Sequence, residues 1–401
     1  MALTRLRSLA ATPSVVLRTV LALLAYAVSH LAPDRSGRWV FGADGGTRFV
    51  GNPKYAFLHV ANERDDVRPI WISKESTVVE DLRAGGYEAY HARSVRGLGH
   101  TLLAEYLFVS HGPADVTWWA TGGTDVVQLW HGAPIKRIGD DLDRDWSLAG
   151  RFFFRLTGSN WAKLITNGEA VNPIFARAYH QADADVLALG YPRNDVFRGA
   201  VPDAVLGMES TVDRVRSMAA DGPVGLYLPT WRSWNDSVGH GDERLDAVVD
   251  FETLDERLAA ADAHLLVKLH PHERLSVDLD RLDRVVELPA ASDPYPLLAH
   301  VDVLATDYSS IAIDFLLADR PIVFFPFDRA RYARNPGFAL DYDAVTAGPT
   351  PTAFEPFADE LIATLDGRDD FAAEREAVRA EYIDHPDGSA GERLYKELRR
   401  R

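Results

Sequence analysis

The sequence predicts an α/β fold of two doubly wound units facing each other across a cleft, preceded by an amino-terminal helix at a membrane interface. Three observations carry that prediction. The chain has 401 residues, more than one hydrophobic core usually organises. Short β-rich runs alternate with helix-like stretches through both halves, the pattern of parallel sheets covered on both faces by helices. A stretch near residues 198 to 222, where RGAVPDAVLGMES leads to a helical segment and then to Asp221-Gly222-Pro223, separates the two series. The expected division is residues 1–33 for an amphipathic helix, 34–200 for an amino-terminal unit, and 201–401 for a carboxyl-terminal unit with its terminal helices.

The first element is the segment Ser14 to Ala32, SVVLRTVLALLAYAVSHLA, preceded by Arg5 and Arg7 and stopped by Pro33. A spanning helix needs about 20 predominantly apolar residues, and Arg18 interrupts this one near its start. A basic start before a short apolar run is also the pattern of a signal peptide, but no small-residue cleavage site stands out. Leu17, Val20, Leu21, Leu24, Val28 and Leu31 recur at helical spacing, with Arg7 and Arg18 on another face. This reads as a helix lying in the membrane interface; a helix packed on the protein's own first unit is the alternative.

Strands follow as RWVFG from Arg38, RPIWIS from Arg68, EYLFVS from Glu105 and DVVQLW from Asp125, each leading into a helix-like segment. The second half repeats the alternation with VGLYL from Val224, HLLVKL from His264, RVVEL from Arg284, DVLA from Asp302 and PIVFF from Pro321. The last segment, Glu- and Arg-rich and ending in YKELRRR, reads as a solvated helix. In such sheets ligands bind at the carboxyl ends of the strands.

Composition narrows the chemistry. With no cysteine there is no disulfide framework, thiolate metal site or cysteine nucleophile. With 43 Lys+Arg against 59 Asp+Glu, the formal charge of -16 argues against a nucleic-acid binder, which needs a basic stripe to displace counterions. Lysine occurs only at Lys54, Lys74, Lys136, Lys163, Lys268 and Lys396. An acid-rich, lysine-poor chain fits a salt-rich cytosol, where screening relieves repulsion between surface carboxylates; stability independent of molar salt would remove that reading.

Five polar clusters stand at strand ends. In Gln128-Leu129-Trp130-His131-Gly132-Ala133-Pro134-Ile135-Lys136, a His directly after a strand meets a turn that aims its imidazole at the cleft, where its pKa suits proton transfer. A hydrogen-bonded structural His is the plain alternative. In Leu269-His270-Pro271-His272-Glu273, Pro271 and the lack of a third clustered ligand make zinc a poor fit. The expectation is no metal, with His270 in the cleft and His272 capping or facing solvent. In Ala305-Thr306-Asp307-Tyr308-Ser309-Ser310, a strand ends and a helix begins. Capping alone accounts for these residues, but Thr306, Ser309 and Ser310 at a helix start also suit a diphosphate. No GxGxxG or Walker loop is present. In Pro229-Thr230-Trp231-Arg232, Arg232 offers a planar fork for phosphate, against a surface salt bridge. Gly190-Tyr191-Pro192-Arg193-Asn194-Asp195 reads as a hinge turn.

The order of these clusters is more specific than any one of them. WHGxPxK, GYPRND, PTWR, KLHP and TDYSS, together with the early Gly51-Asn52-Pro53-Lys54-Tyr55 and the late Arg331-Tyr332, Gly337-Phe338 and Asp387-Gly388, resemble the CDP-glycerol glycerophosphotransferases of teichoic acid synthesis over roughly residues 38 to 390. The resemblance implies a GT-B architecture, a CDP-alditol donor held by the second unit, and peripheral attachment to the cytoplasmic face of the cell membrane. It implies transfer of glycerol phosphate or a related alditol phosphate from CDP-glycerol to a hydroxyl of a lipid-linked glycan or polymer acceptor, with release of CMP and no cofactor. His131 matches the family's general base and His270 its second essential histidine. Arg232, Thr306, Ser309 and Ser310 match the groups that hold the diphosphate. Two competing readings remain. One is a nucleotide-sugar glycosyltransferase on the same fold. The other is a non-catalytic nucleotide-binding protein, against which the pair His131 and His270 argues.

Overall fold

The computed structural model describes residues 13–33, 37–142, 150, 154–155, 161–232, 245–270, 273 and 275–400. Two parallel sheets organise them. The first contains β1 (Arg38–Phe41), β2 (Arg68–Ser73), β3 (Ala89–His91), β4 (Tyr106–Val109), β5 (Asp125–Gln128), β6 (Lys163–Thr166) and β7 (Val186–Ala188), in the order β3-β2-β1-β4-β5-β6-β7. The second contains β8 (Val224–Leu228), β9 (His264–Val267), β10 (Val285–Glu287), β11 (Val303–Thr306) and β12 (Ile322–Phe324), in the order β10-β9-β8-β11-β12. This is the GT-B arrangement of two Rossmann-like units. Central strands are apolar on both faces because helices cover both: Trp39, Val40 and Phe41 of β1 and Val303, Leu304 and Ala305 of β11 are all buried.

In each sheet the strand order reverses next to the first strand, between β1 and β4 and between β8 and β11. The crevice at such a reversal is where open α/β sheets bind ligands. The loops after β1, β4 and β5 and those after β8, β9 and β11 therefore converge, and they carry the polar clusters.

The two units are clasped by buried charge. Lys54 Nζ pairs with Asp293 at 2.9 Å and donates to the Ala204 carbonyl at 2.7 Å, while Tyr55 donates to the same carboxylate at 3.0 Å. Arg193 pairs with Asp314, which also accepts from Asn194 at 3.0 Å and from Tyr295 at 2.6 Å. The GYPRND segment is thus a strut between units, not only a hinge turn. A backbone seam adds to it: Lys136 bridges Phe338, Arg137 N–H donates to Gly337 O at 3.0 Å, and Ala339 N–H donates to Ile135 O at 2.8 Å.

Both ends of the chain return to the first sheet. Helix Ala390–Arg399 is not a solvated helix: Leu394 and Leu398 are buried in one cluster with Trp39, Phe57 and Tyr106, and Asp195 accepts from Ala390 and Gly391 N–H at 2.9 and 3.0 Å. Residues 201–401 therefore do not all stay with the second sheet, because this helix has an apolar face that the first sheet buries. At the other end, helix Pro13–Ser29 docks by its last turn, where Gly122 N–H donates to the buried Ser29 hydroxyl at 2.8 Å and Tyr26 lies 6.2 Å from Trp118. Its apolar row stays outside: Leu17, Val20, Leu21, Leu24, Val28 and Leu31 are between 47% and 82% exposed. No described helix is long and apolar enough to cross a membrane. Arg5 and Arg7 lie outside the described residues.

Candidate active site

The histidine turn after β5 is built by its neighbours. Trp130 takes a left-handed φ of 55°, uncommon for a bulky residue. Its N–H donates to Gln128 Oε1 at 2.9 Å, and Asn52 Nδ2 donates to the carbonyls of Leu129 and Trp130 at 2.8 and 3.0 Å. This turn delivers His131 to the cleft. His131 Nδ1 lies 3.0 Å from Ser110 O; a carbonyl can only accept, so Nδ1 carries the proton and Nε2 keeps its lone pair. Its ring is stacked between Trp130 and His111, both with centroids 4.4 Å away. The Ser110 loop is itself fixed by buried Asp115, which accepts from Ser110 and His111 N–H at 2.7 and 2.8 Å and from Gly45 N–H at 2.7 Å. Burial pushes the His131 pKa well below its ordinary value, and His111 adds to the shift.

The second unit supplies the facing wall. His270 follows β9 and stacks on Trp231, with centroids 5.0 Å apart and planes at 17°. Ser309 and Ser310 lead into helix Ile311–Phe315, and the Ser310 side chain makes no capping bond. Gly132 and Ser310 meet at the join: a Cβ on Gly132 would lie 2.0 Å from Ser310 Oγ, at a φ of 138°. Between the walls is a cavity of about 420 Å³ lined by Arg48, His131, Lys136, Thr230, His270, Ser309 and Ser310, among others. The Thr230 hydroxyl is buried without a hydrogen-bond partner. The chamber thus combines a neutral imidazole base with cations and hydroxyl donors suited to a phosphate.

Against this geometry stands the match of residues 24–399 to the family model described as CDP-Glycerol:Poly(glycerophosphate) glycerophosphotransferase. The chain belongs to this family. It is 28% identical over 340 residues to a teichoic acid poly(glycerol phosphate) polymerase of Staphylococcus epidermidis, covering 80% of this chain and 45% of that protein. It is 26% identical over 360 residues to the polymerase of the same description from Bacillus spizizenii, covering 86% and 88%. The chain thus spans less than half of the first relative and most of the second. The solved wall teichoic acid polymerase TagF, also solved after soaking with CDPG, superposes with a TM-score of 0.77 at 22% identity, covering 96% of this chain and 95% of that one.

Of the residues singled out for this glycerophosphotransferase family member, His131, His270, Ser309 and Ser310 line one cavity. Two stand elsewhere. Thr306 is fully buried on β11 and its hydroxyl donates to Leu228 O at 2.7 Å, so it ties two strands rather than facing the chamber. Arg232 is caged behind the wall. Its guanidinium pairs with Asp307 at 2.8 Å and Asp328 at 2.7 Å, also donates to Thr230 O, and lies over the Tyr308, Phe327 and Tyr332 rings. Because Asp307 also accepts from Thr230 N–H at 2.9 Å, Arg232 locks the PTWR and TDYSS loops together. It is a positioning residue here. The ion pairs, not burial, which opposes them, hold its pKa above the usual guanidinium range.

His272 and Pro271 lie outside the described residues. Sequence reasoning passed over Arg48, which enters the cavity from the loop after β1 with its Nε held by Asp44 and no local motif to mark it. It also passed over His111, although VSHG after β4 repeats the strand-His-Gly pattern of LWHG after β5. Lys268 of KLHP donates to Ala290 O at 2.9 Å, and burial brings its pKa down to about 8.

Proposed function

We propose that the protein transfers glycerol phosphate, or a related alditol phosphate, from CDP-glycerol to a hydroxyl of a membrane-linked glycan or surface-polymer acceptor, releasing CMP. The observation that carries this reading is the His131 imidazole, neutral and oriented through Nδ1, set opposite Ser309, Ser310 and His270 in one chamber. The acceptor oxygen attacks the β-phosphorus as Nε2 takes the hydroxyl proton. A new P–O bond forms to the acceptor, and the bond from the β-phosphorus to the bridging oxygen breaks, leaving that oxygen on CMP. Such a transfer asks mainly for in-line positioning and neutralisation of charge. The Ser309 and Ser310 hydroxyls, His270, Arg48 and Lys136 answer the second need, and the reading requires no cofactor.

The same proposal places the protein on the cytoplasmic face of the membrane, held by helix Pro13–Ser29. Its exposed apolar row supports that placement, since a net charge of -16 would be repelled by anionic lipid and attachment must rest on apolar burial. Deleting residues 1–33 is expected to move the protein from the membrane to the soluble fraction; unchanged sedimentation with membranes would contradict it.

Thermal shift tests the donor. CDP-glycerol or another CDP-alditol is expected to raise the melting temperature, and stabilisation by a UDP- or GDP-sugar with none by any CDP-alditol would favour glycosyl transfer instead.

A further inference from the structure

Among the described residues, large apolar side chains are exposed in two places. Six belong to the amino-terminal segment from Leu17 to Leu31, and the seventh is Val95, 89% exposed in the first turn of helix Val95–Leu102. Arg93 and Arg96 flank it, both exposed and, among the described residues, without an ion pair or a side-chain hydrogen bond. Helix stability accounts for none of the three. A β-branched valine has modest helix propensity, and a cation beside a helix N-terminus meets the positive end of the macrodipole. The turn is nevertheless firmly built. Ser94 caps the helix by accepting from Gly97 N–H at 3.0 Å and donates to His91 O at 2.8 Å, and a Cβ at Gly97 would run into that same carbonyl. Thr117 donates to Ala92 O at 3.2 Å. The next residue, Trp118, lies 6.2 Å from Tyr26 of the amino-terminal helix, so that helix and the arginine turn flank one half-buried pair, Trp118 and Trp119.

Charge marks the same surface. The chain has 59 acidic residues, yet residues 13–33, 89–104 and 116–124, the segments that meet here, contain none. At physiological salt the Debye length is about 8 Å, so a charged layer responds to the groups that touch it and not to the net charge of the molecule. Exposed apolar groups, indole rings and unpaired arginines, with no carboxylate among them, are the complement of an anionic lipid headgroup layer.

We infer that the turn from Arg93 to Arg96 is a second membrane contact, which sets Val95 among the headgroups and gives the protein a preference for anionic lipid. The amino-terminal helix supplies attachment. A second point beside it fixes the rotation of the first unit about that helix, which a single helix lying in the interface leaves free. The inference rests on the membrane placement of that helix, and different measurements read the two.

The chain has no cysteine, so Val95→Cys takes a single environment-sensitive fluorophore at an exposed position. That label, together with co-sedimentation on vesicles of phosphatidylcholine alone or mixed with phosphatidylglycerol, is the test. Wild type is expected to bind the anionic vesicles more tightly despite its charge of -16, by a margin that shrinks as salt rises, and the label to shift to the blue on them. Arg96→Gln is expected to weaken binding to anionic vesicles about fivefold and to leave binding to neutral ones unchanged. Arg281→Gln makes the same change in net charge on the second unit, at an exposed arginine paired with Asp278, and is expected to have no effect. A label that stays in water on anionic vesicles, no anionic preference in wild type, or equal losses in Arg96→Gln and Arg281→Gln would each overturn the proposal. Arg96-dependent binding of soluble polyphosphate with no vesicle preference would assign the arginines to a polymer and equally overturn it. Failure of the amino-terminal helix as an anchor shows separately, as an absence of binding to neutral vesicles, and leaves the anionic preference and the label decisive for this turn.

Discussion

At the scale of single residues, the account turns on what holds His131 and what Arg232 holds. The His131 proton is committed to Ser110 O through Nδ1, and burial lowers the ring's pKa, with His111 next in effect. The base form therefore persists below the usual histidine value of about 6.5. The acid limb of kcat/KM is expected below that value in wild type and nearer neutrality in His111→Ala. An acid limb above about 6.5 in wild type would contradict the assignment. The same shift bears on stability. A histidine whose folded pKa is depressed contributes fully above the unfolded value, and its contribution is lost as pH falls and the unfolded chain takes up the proton first. Arg232 was legible as a phosphate ligand from PTWR because an arginine at a strand end has the right shape. What its sequence position does not contain is the pair Asp307 and Asp328, brought in by another strand and a later turn. Arg232→Ala leaves two carboxylates uncompensated, and a loss of about 3–5 kcal/mol is expected in denaturant titration. A stable variant with only weakened donor binding would instead return Arg232 to the cavity.

At the scale of elements, strand length does not separate what was readable from what was not. β1, β2, β4 and β5 and all five strands of the second sheet coincide with β-rich runs visible in the sequence. β3 and β7, which are only partly buried at the edges of the first sheet, and β6 beside β7 were not marked out, and they are defined by pairing with their neighbours. The histidine turn after β5 shows how one glycine couples two elements. Gly132 faces Ser310 so closely that Gly132→Ala must move the WHG turn away from the helix start at Ile311. That displacement is expected to cost about 10²-fold in kcat, since phosphoryl transfer depends on alignment. Retention of wild-type kcat by Gly132→Ala would show that the two loops need not touch.

At the scale of the whole molecule, the two-unit division follows from length and alternation, whereas the clasp between units was hidden. GYPRND reads locally as a hinge turn and GNPKY only as a motif of the family resemblance, yet Lys54 and Arg193 are buried partners of Asp293 and Asp314 from the other unit. Removing one member of such a pair strands the other. Lys54→Met is expected to lower stability by about 3–5 kcal/mol, and Lys54→Met with Asp293→Leu to recover much of it; equal stability of the single variant and wild type would contradict the clasp. The terminal helix was misread as solvated because its apolar positions, Leu394 and Leu398, are few and the sheet they cover is more than 200 residues away in sequence. The central claim is that the chamber moves a phosphoryl group, with His131 taking the proton, and the nucleotide product tests it most directly. Incubation with CDP-glycerol and a hydroxyl acceptor, with products resolved by chromatography, is expected to yield CMP together with glycerol phosphate on the acceptor, and neither when His131→Ala is used; release of CDP, or undiminished CMP formation by His131→Ala, would contradict it.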